Sequence, residues 1–289
     1  MQRVVDHRVW PSSGWRATAP SVILYASTTK TVEEPLRYEG MTGLDREQLT
    51  ELTARVYARL GGFSSNGRPF ALGLFGSVVL VVALLRENLT QSFAGAVFGV
   101  SQSTVSRRWD LLRPLIEEVL AEFVPTPAEI AGTSSVLVDG TLIPTWDWRC
   151  RDDLFSAKHH DHGMNLQVAG LWSGHQLVTA GEPVGGARHD AHAWAASGLA
   201  ERLADFDLVG DLGYLGLGLI TGTRKPPGAE LSGNQKEANK TLNGFRARME
   251  HIIAHLKNWK MLSHRYRGPL DKLGEAIHAI VALHFFRYA

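Results

Sequence analysis

Residues 136–141 read VLVDGT, three aliphatic side chains that stop on an acid with glycine and threonine directly behind it. Aliphatic β-formers bounded by glycine read as a short buried strand, so Asp139 is expected at its end. The pattern returns downstream in DLVGDLGY (residues 207–214), where Asp211 again follows aliphatic residues and precedes glycine. Two such strands side by side in one sheet bring both carboxylates to one edge. Either acid alone is more often a turn or cap residue than a ligand. A third acid lies in LNGFRARMEHIIAHLKNWKML (residues 242–262). There Leu242, Phe245, Met249, Ile252, Leu256 and Trp259 recur at helical spacing and mark a buried stripe, with Glu250 beside it. Taken singly, Glu250 reads as an exposed acid paired with Arg246 one turn earlier. Together, Asp139, Asp211 and Glu250 make the all-oxygen set that holds two divalent ions about 3.5–4 Å apart for phosphoryl transfer. Such ligands favour Mg²⁺ or Mn²⁺.

Around these acids the pattern is strand-rich and then helical. SVLVDGTLI, GMNLQVAGLW, HQLVTAGEPV and FDLVGDLGY read as strands, the second and third joined by a Ser173-Gly174 turn. Helices are expected over residues 234–259 and 272–286. Ahead of this core, VPTPAEIAGTSS (residues 124–135) is a Pro/Gly/Ser linker and the expected domain boundary. The segment before it is helical. DREQLTELTARVYARL (residues 45–60) puts Leu49, Leu52, Val56 and Leu60 on one face, and FALGLFGSVVLVVALL (residues 70–85) is a buried helix. NLTQSFAGAVFGVSQSTVSRRWDLLRPLIEEVL (residues 88–120) reads as helix, tight turn, helix. Thr90 and Ser101 are expected N-caps, Gly95 a point of close helix approach and Gly99 the turn. Val105 then points inward, leaving Gln102, Ser103, Thr104, Arg107 and Arg108 outside, short donors and cations of the kind that meet base edges and phosphates. An ordinary capped helical hairpin would share the caps but not the full spacing. The fold class is therefore α/β or α+β in three parts: an irregular extension (1–40), a helical helix-turn-helix domain (41–125) and a strand-rich domain (126–289).

Composition sets limits. The chain has 289 residues, 44% apolar, and one cysteine, Cys150, which rules out an intramolecular disulfide or a cysteine zinc site and suits a reducing cytoplasm. The longest apolar run has 16 residues, short of the roughly 20 that span a bilayer, and the N-terminus lacks the pattern of a signal peptide, so no membrane role is expected. The net charge of +1 hides a division: residues 139–220 carry 5 Lys/Arg against 11 Asp/Glu, residues 221–289 carry 12 against 5. An acidic middle beside a basic end suits a site for divalent cations and a polyanion together, although charge can also segregate between solvated faces by chance. The basic run includes Arg224, Lys225, Lys236, Lys240, Arg246, Lys257, Lys260, Arg265 and Arg267, with Arg246 and Lys257 flanking Glu250 and suited to phosphate contact.

At residues 67–287 the chain resembles insertion-sequence transposases of the DDE class, in the PIF/Harbinger-like branch with an N-terminal helix-turn-helix. The stretches that carry the resemblance are SQSTVSRR, VDGTLIPTWDWR, SAKHHDHGMNLQV, GGARHDAHAW, VGDLGYLGLGLIT and the long segment containing FRARMEHIIAHLK. It implies an RNase H-like catalytic fold with Asp139 and Asp211 on strands and Glu250 on a helix, separated by 72 and 39 residues. One ion then lowers the pKa of an attacking water and the other stabilises the leaving 3′ oxygen. The freed 3′-hydroxyl attacks target DNA. It also implies double-stranded DNA partners, element ends and target, handled by at least a dimer in a cytoplasmic, nucleoid-associated setting. Within KHHDHG the resemblance marks Lys158, His159 and His162 as DNA or active-site edge contacts. Adjacent histidines do not converge readily on one ion, and no distant cysteine completes a zinc site. His189-Asp190 matches an HD pair near the site, where Asp190 is an auxiliary acid or a helix cap. Leu212 stands where relatives often carry a polar or basic residue. Trp146 and Trp148 stack on a distorted DNA end or belong to the core, with core the commoner fate. Two other readings stay open: a DNA-binding regulator that has lost catalysis, and an RNase H-like nuclease without strand transfer.

Overall fold

The computed structural model describes residues 36–61, 71–130, 135–146, 150–172 and 176–289, without the side chains of residues 36, 37 and 245. The N-terminal extension before residue 36, the Ser173-Gly174 turn, Trp148 and part of the expected linker lie outside the described residues. Helices α1 (Leu36–Thr42), α2 (Arg46–Arg59), α3 (Gly73–Glu87), α4 (Gln91–Phe98) and α5 (Gln102–Leu120) come first, then the short α6 (Pro127–Ile130). Strands β1 (Val136–Pro144), β2 (Phe155–Ser156), β3 (Asp161–Leu171), β4 (Leu177–Ala180) and β5 (Val184–Gly185) follow, then α7 (Asp190–Ala196), α8 (Leu199–Arg202) and β6 (Leu208–Val209). Helices α9 (Gly233–Lys257), α10 (Lys260–Ser263) and α11 (Leu273–Tyr288) close the chain. This is a helical region followed by a mixed sheet-and-helix domain of RNase H-like α/β type.

Local chemistry explains the helical region. Asp45 caps α2 in a reciprocal box with Gln48, and Ser232 does the same for α9 with Gln235. Thr90 and Ser101 accept hydrogen bonds from Phe93 N and Thr104 N, and Gly99 closes α4 at φ +68°. At Gly95 a Cβ would stand 2.7 Å from the Val100 carbonyl oxygen, so only glycine lets α4 meet the start of α5 this closely. α3 is buried without a break from Ser77 to Leu85 because α1, α2, α5 and α10 surround it. It backs the helix-turn-helix through Leu80 and Leu84 against Ala94 and Val105.

The sheet has β1 at its centre, antiparallel to β3 with Asp139 opposite Val168, and parallel to β6 through Val136–Leu208 and Leu137–Val209. β2, β4 and β5 all pair with β3. Alternation sends Leu137 and Ile143 into a core with Met249, Ile252 and Leu256 of α9, and Val136 and Val138 into a second core with Trp194, Leu199 and Tyr214. The first core also takes in Leu49, Leu52, Val56, Leu112 and Ile116, so it runs without interruption from the helical region into the sheet domain. A buried Arg113 of α5 meets Glu275 of α11 across the same join.

Two details depart from the sequence reading. Asp139 is not at a strand end: β1 continues five residues beyond it to Pro144, held by β3 alone after β6 has stopped. β6 is only two residues long because the chain turns at Asp211, whose carboxylate caps a 3₁₀ turn over residues 212–214. The acids thus meet where β1 outruns β6, in the interior of one strand and just past the end of the other. Trp146, expected in the core, is 54% exposed, with the Arg267 guanidinium 5.4 Å from its ring centre.

Candidate active site

Asp139 occupies the same sheet face as Leu137, by alternation along β1 the face covered by α9. Its Oδ1 accepts a hydrogen bond from Gly140 N at 2.8 Å, and Asp211 Oδ1 accepts one from Gly213 N at 2.7 Å. One oxygen of each acid is therefore fixed by the backbone. Burial pushes the Asp139 carboxyl up to about 6; the Gly140 N–H opposes this, the Asp211 charge adds to it, and Lys158 and Asp190 act with opposite signs. The sheet architecture has therefore gathered acids where an ionised carboxylate is costly.

Asp190, at the start of α7, joins them from the other side of β1. It is not a cap: the N-cap of α7 is His189, and no side chain bonds there. Asp190 instead accepts from Asn165 Nδ2 at 3.0 Å and from Lys158 Nζ at 3.3 Å. Gln167 Nε2 donates to Asn165 Oδ1 at 2.9 Å, and Tyr214 Oη donates to Gln167 Oε1 at 2.6 Å. The Tyr214 hydroxyl is held far above its usual acidity range by burial and by the charges of Asp190, Asp139 and Asp211. Gly140 makes room for this network, since a Cβ there would lie 2.5 Å from Asp190 Oδ1 and 2.7 Å from Gln167 Nε2. Asn165, Gln167 and Tyr214 had not been singled out from sequence. The available signal was the polar pair two residues apart in MNLQVAG, on one face of an otherwise apolar strand.

Lys158, His159, Asp190, Gly140 and Gly213 line one cleft of about 350 Å³. Burial and the charges of Lys158 and Lys257 hold the His159 imidazole below its ordinary pKa. Lys257 is itself lowered by burial and donates to the Leu142 carbonyl of β1 at 3.0 Å. His162, in β3, packs its ring on Phe155 at 5.2 Å, at the margin of the sheet. A larger cavity of about 430 Å³, lined by Glu182, Leu270 and His278 among others, shares no lining residue with the acid cleft.

Glu250 is exposed on α9, on a flank about 60° wide around the helix axis that also carries Arg246, Ile253 and Lys257. Lys257 on that flank reaches the Leu142 carbonyl of β1, about two turns along α9 from Glu250. Its carboxylate does not close onto the two aspartates: among the described residues no three His, Cys, Asp or Glu side chains converge into a ready metal cage. The donors still suit a hard divalent cation. Asp139 and Asp211 offer carboxylate oxygens, and the charge of Asp211 adds to the cost of ionising Asp139, a cost that a bound cation would relieve.

In the helix-turn-helix, Gln102 and Ser103 are exposed at the start of α5 and Thr104 is half-buried. Gln102 Nε2 donates to Gln91 Oε1 at 2.6 Å, tying α5 to α4. Arg107 is exposed, but Arg108, expected outside, is buried at 8% exposure. Three residues after Val105 on α5, it faces the helical core, and burial together with Arg107 lowers its pKa. In the basic run, Lys225 and Lys236 pair with Glu230, Lys260 with Glu87, and Arg265 with Asp161. Arg224, Lys240 and Arg246 are exposed.

Comparison with known proteins places this arrangement. Residues 138–284 match the family model of the DDE superfamily endonuclease, and residues 71–122 match that of the helix-turn-helix of DDE superfamily endonuclease. The putative transposase for insertion sequence element IS112 of Streptomyces albus G is 31% identical over 256 residues, 88% of this chain and 96% of that protein. The probable transposase for insertion sequence element IS702 of Microchaete diplosiphon is 26% identical over 265 residues, 88% and 95% of the two chains. No solved structure gave a significant match. With a DDE endonuclease region behind its own helix-turn-helix, the chain belongs to the DDE superfamily of endonucleases.

Proposed function

We propose that this protein is an insertion-sequence transposase that binds the element's ends through α4 and α5 and cuts and joins DNA strands at Asp139, Asp211 and Glu250. The observation that carries the reading is the Asp139–Asp211 pair, a half-buried acid pushed up to about 6 beside a second acid at the point where β1 and β6 part. Structural economy gives no reason to keep such a pair, since ionised carboxylates in a partly dry site cost stability.

The residues divide the work. Gln102, Ser103 and Thr104 at the start of α5 meet base edges, and Arg107 one turn on meets a phosphate. Asp139 and Asp211, with Glu250 from the flank of α9, would hold Mg²⁺ or Mn²⁺, two ions per site. Bound there, the ions supply an activated water and charge stabilisation at the leaving oxygen. Lys158, held by Asp190, and Lys257, held by the Leu142 carbonyl, present positive charge to the phosphates on either side of the cut. His159, kept neutral by its surroundings, stands in the same cleft able to accept a hydrogen bond or a proton. Arg246 extends the phosphate track along α9 and His162 borders it. Two ends must be processed together, so the acting species is at least a dimer.

The test is strand transfer. A labelled duplex with a pre-cut element end is incubated with the protein, Mg²⁺ or Mn²⁺ and a supercoiled target. Joined products that disappear with Asp211→Asn support a transposase. Cleavage without joining supports the nuclease reading, and binding without either supports a regulator.

A further inference from the structure

The nine residues after Asp211 expose aliphatic side chains that no core uses. Leu212 is 48% exposed, Leu215 56%, Leu217 39% and Ile220 51%, whereas Tyr214 and Leu219 between them are buried. The loop is rigidly held. Ile220 N donates to Leu208 O at 2.7 Å, Gly210 N to Ile220 O at 3.1 Å, and Leu217 N to Tyr214 O at 3.1 Å, while Tyr214 is anchored on Gln167. Thr223, next along, exchanges two hydrogen bonds with Asn239, which moors the loop's exit to α9. Leu212 opens the 3₁₀ turn and Leu215 follows it, with Leu215 N donating to Leu212 O at 3.4 Å, so the two exposed leucines stand one turn apart as an apolar ridge.

We propose that Leu212 and Leu215 form a wedge that unstacks the base step flanking the phosphate to be cut. The proposal rests on the reading of Asp211 as a strand-cutting acid. Position selects DNA as the occupant. Leu212 is the immediate neighbour of Asp211, about 3.8 Å along the chain, close to the roughly 3.4 Å rise of one nucleotide on a strand. A strand whose phosphate sits at Asp211 brings its adjoining nucleoside within reach of the exposed Leu212. Aliphatic side chains cannot hydrogen-bond that nucleoside or pair with its phosphates, but they fill the gap between two parted bases, the use to which nucleic-acid-binding proteins put leucine and isoleucine wedges. The exposed Arg224 lies beyond the ridge on the same loop exit, where the backbone of a bent strand continues. The wedge positions the strand and is not itself catalytic.

The experiment uses the full chain and a duplex carrying the terminal repeat that borders its gene, with 2-aminopurine at the base flanking the cut. Ca²⁺ holds the complex uncut for the fluorescence reading, and Mg²⁺ or Mn²⁺ starts cleavage. Wild-type protein is expected to raise the fluorescence and to cut. Leu212→Ser and Leu215→Ser, both at exposed positions, are expected to bind the duplex as wild type does, to lose the fluorescence rise, and to cut it on the order of 10–100-fold more slowly. A duplex mismatched at that step, already unstacked, should restore their rate to within about threefold of wild type. Variants that cut the paired duplex at the wild-type rate, or that stay slow on the mismatched one, overturn the wedge. So does a loss of cutting accompanied by a change in oligomeric state, which would make the ridge a contact between copies of the chain. Wild-type protein that binds but cuts neither duplex overturns the strand-cutting reading, and the wedge with it.

Discussion

Replacing Asp139 with asparagine should stabilise the protein at neutral pH while abolishing its chemistry. The carboxyl is held near 6 in the folded chain against 3.8 ordinarily, chiefly by burial and further by the Asp211 charge. That difference corresponds to roughly 3 kcal/mol, and relaxation of the site around an ionised group reduces it to about 1.5–3 kcal/mol. Because the folded state keeps its proton to a higher pH than the unfolded state, it binds more protons between about pH 4 and 6. Stability of the wild-type chain therefore falls as pH rises through that window, and the contribution is fully lost above it. Asparagine has nearly the same shape, carries no charge, and retains an oxygen to accept the Gly140 N–H. Asp139→Asn is thus expected to melt higher than wild type at pH 7.5, by roughly 3–12 °C at about 2–4 °C per kcal/mol for a chain of this size. Below about pH 4 the two curves should meet. The assay is thermal unfolding by circular dichroism across pH 3.5–8 in buffer containing a chelator. Saturating Mg²⁺ should then raise the wild-type midpoint more than that of the variant, by binding the native carboxylates. A variant equal to or less stable than wild type at pH 7.5, or a difference that does not change with pH, would refute the reasoning.

Other perturbations test the rest of the account. Lys158→Met removes a charge that lowers the Asp139 pKa; the acid limb of the pH–rate profile should move to higher pH, and an unmoved limb would separate Lys158 from the acids. Gly95→Val forces a side chain against the Val100 carbonyl and should cost about 1–3 kcal/mol. Duplex binding measured by anisotropy should weaken with it. Arg107→Ala should lessen the salt dependence of DNA binding by about one unit of slope without altering the melting temperature. The buried Arg108 gives the opposite pattern on truncation to alanine, a lower melting temperature first. If the two arginines behave alike, the assignment of one outside and one inside is wrong.

The sequence disclosed most where local chemistry alone decides the outcome. The caps at Asp45, Thr90 and Ser101 and the glycines at 95 and 99 are satisfied within a few residues, so the helix-turn-helix was legible. The acid-bearing strands were legible as apolar runs. Their relation was less so, because the end of β1 is set by pairing with β3, where Pro144 meets Gly163, 19 residues on. A strand reading that stops at the first polar residue therefore stops too early at Asp139. The network from Asp190 through Asn165 and Gln167 to Tyr214 joins three segments of chain, and no spacing rule connects them. Arg108 shows the reverse difficulty. A charged residue at a helical position that packing needs is buried in spite of its type. Trp146 escapes the core that aromatic residues favour in general because it lies two residues past the end of β1, beside Arg267.

Nicking of a labelled duplex carrying the element's end, in Mg²⁺ or Mn²⁺, tests the central claim most directly when Asp139→Ala, Asp211→Ala and Glu250→Gln are compared with wild type at saturating DNA. The account predicts metal-dependent nicking by wild type, its loss in all three variants, and unchanged binding of the duplex throughout. Nicking that survives in Glu250→Gln would remove the helical acid from the site, and nicking that survives in Asp139→Ala or Asp211→Ala would contradict the assignment of this acid pair as the place where DNA is cut.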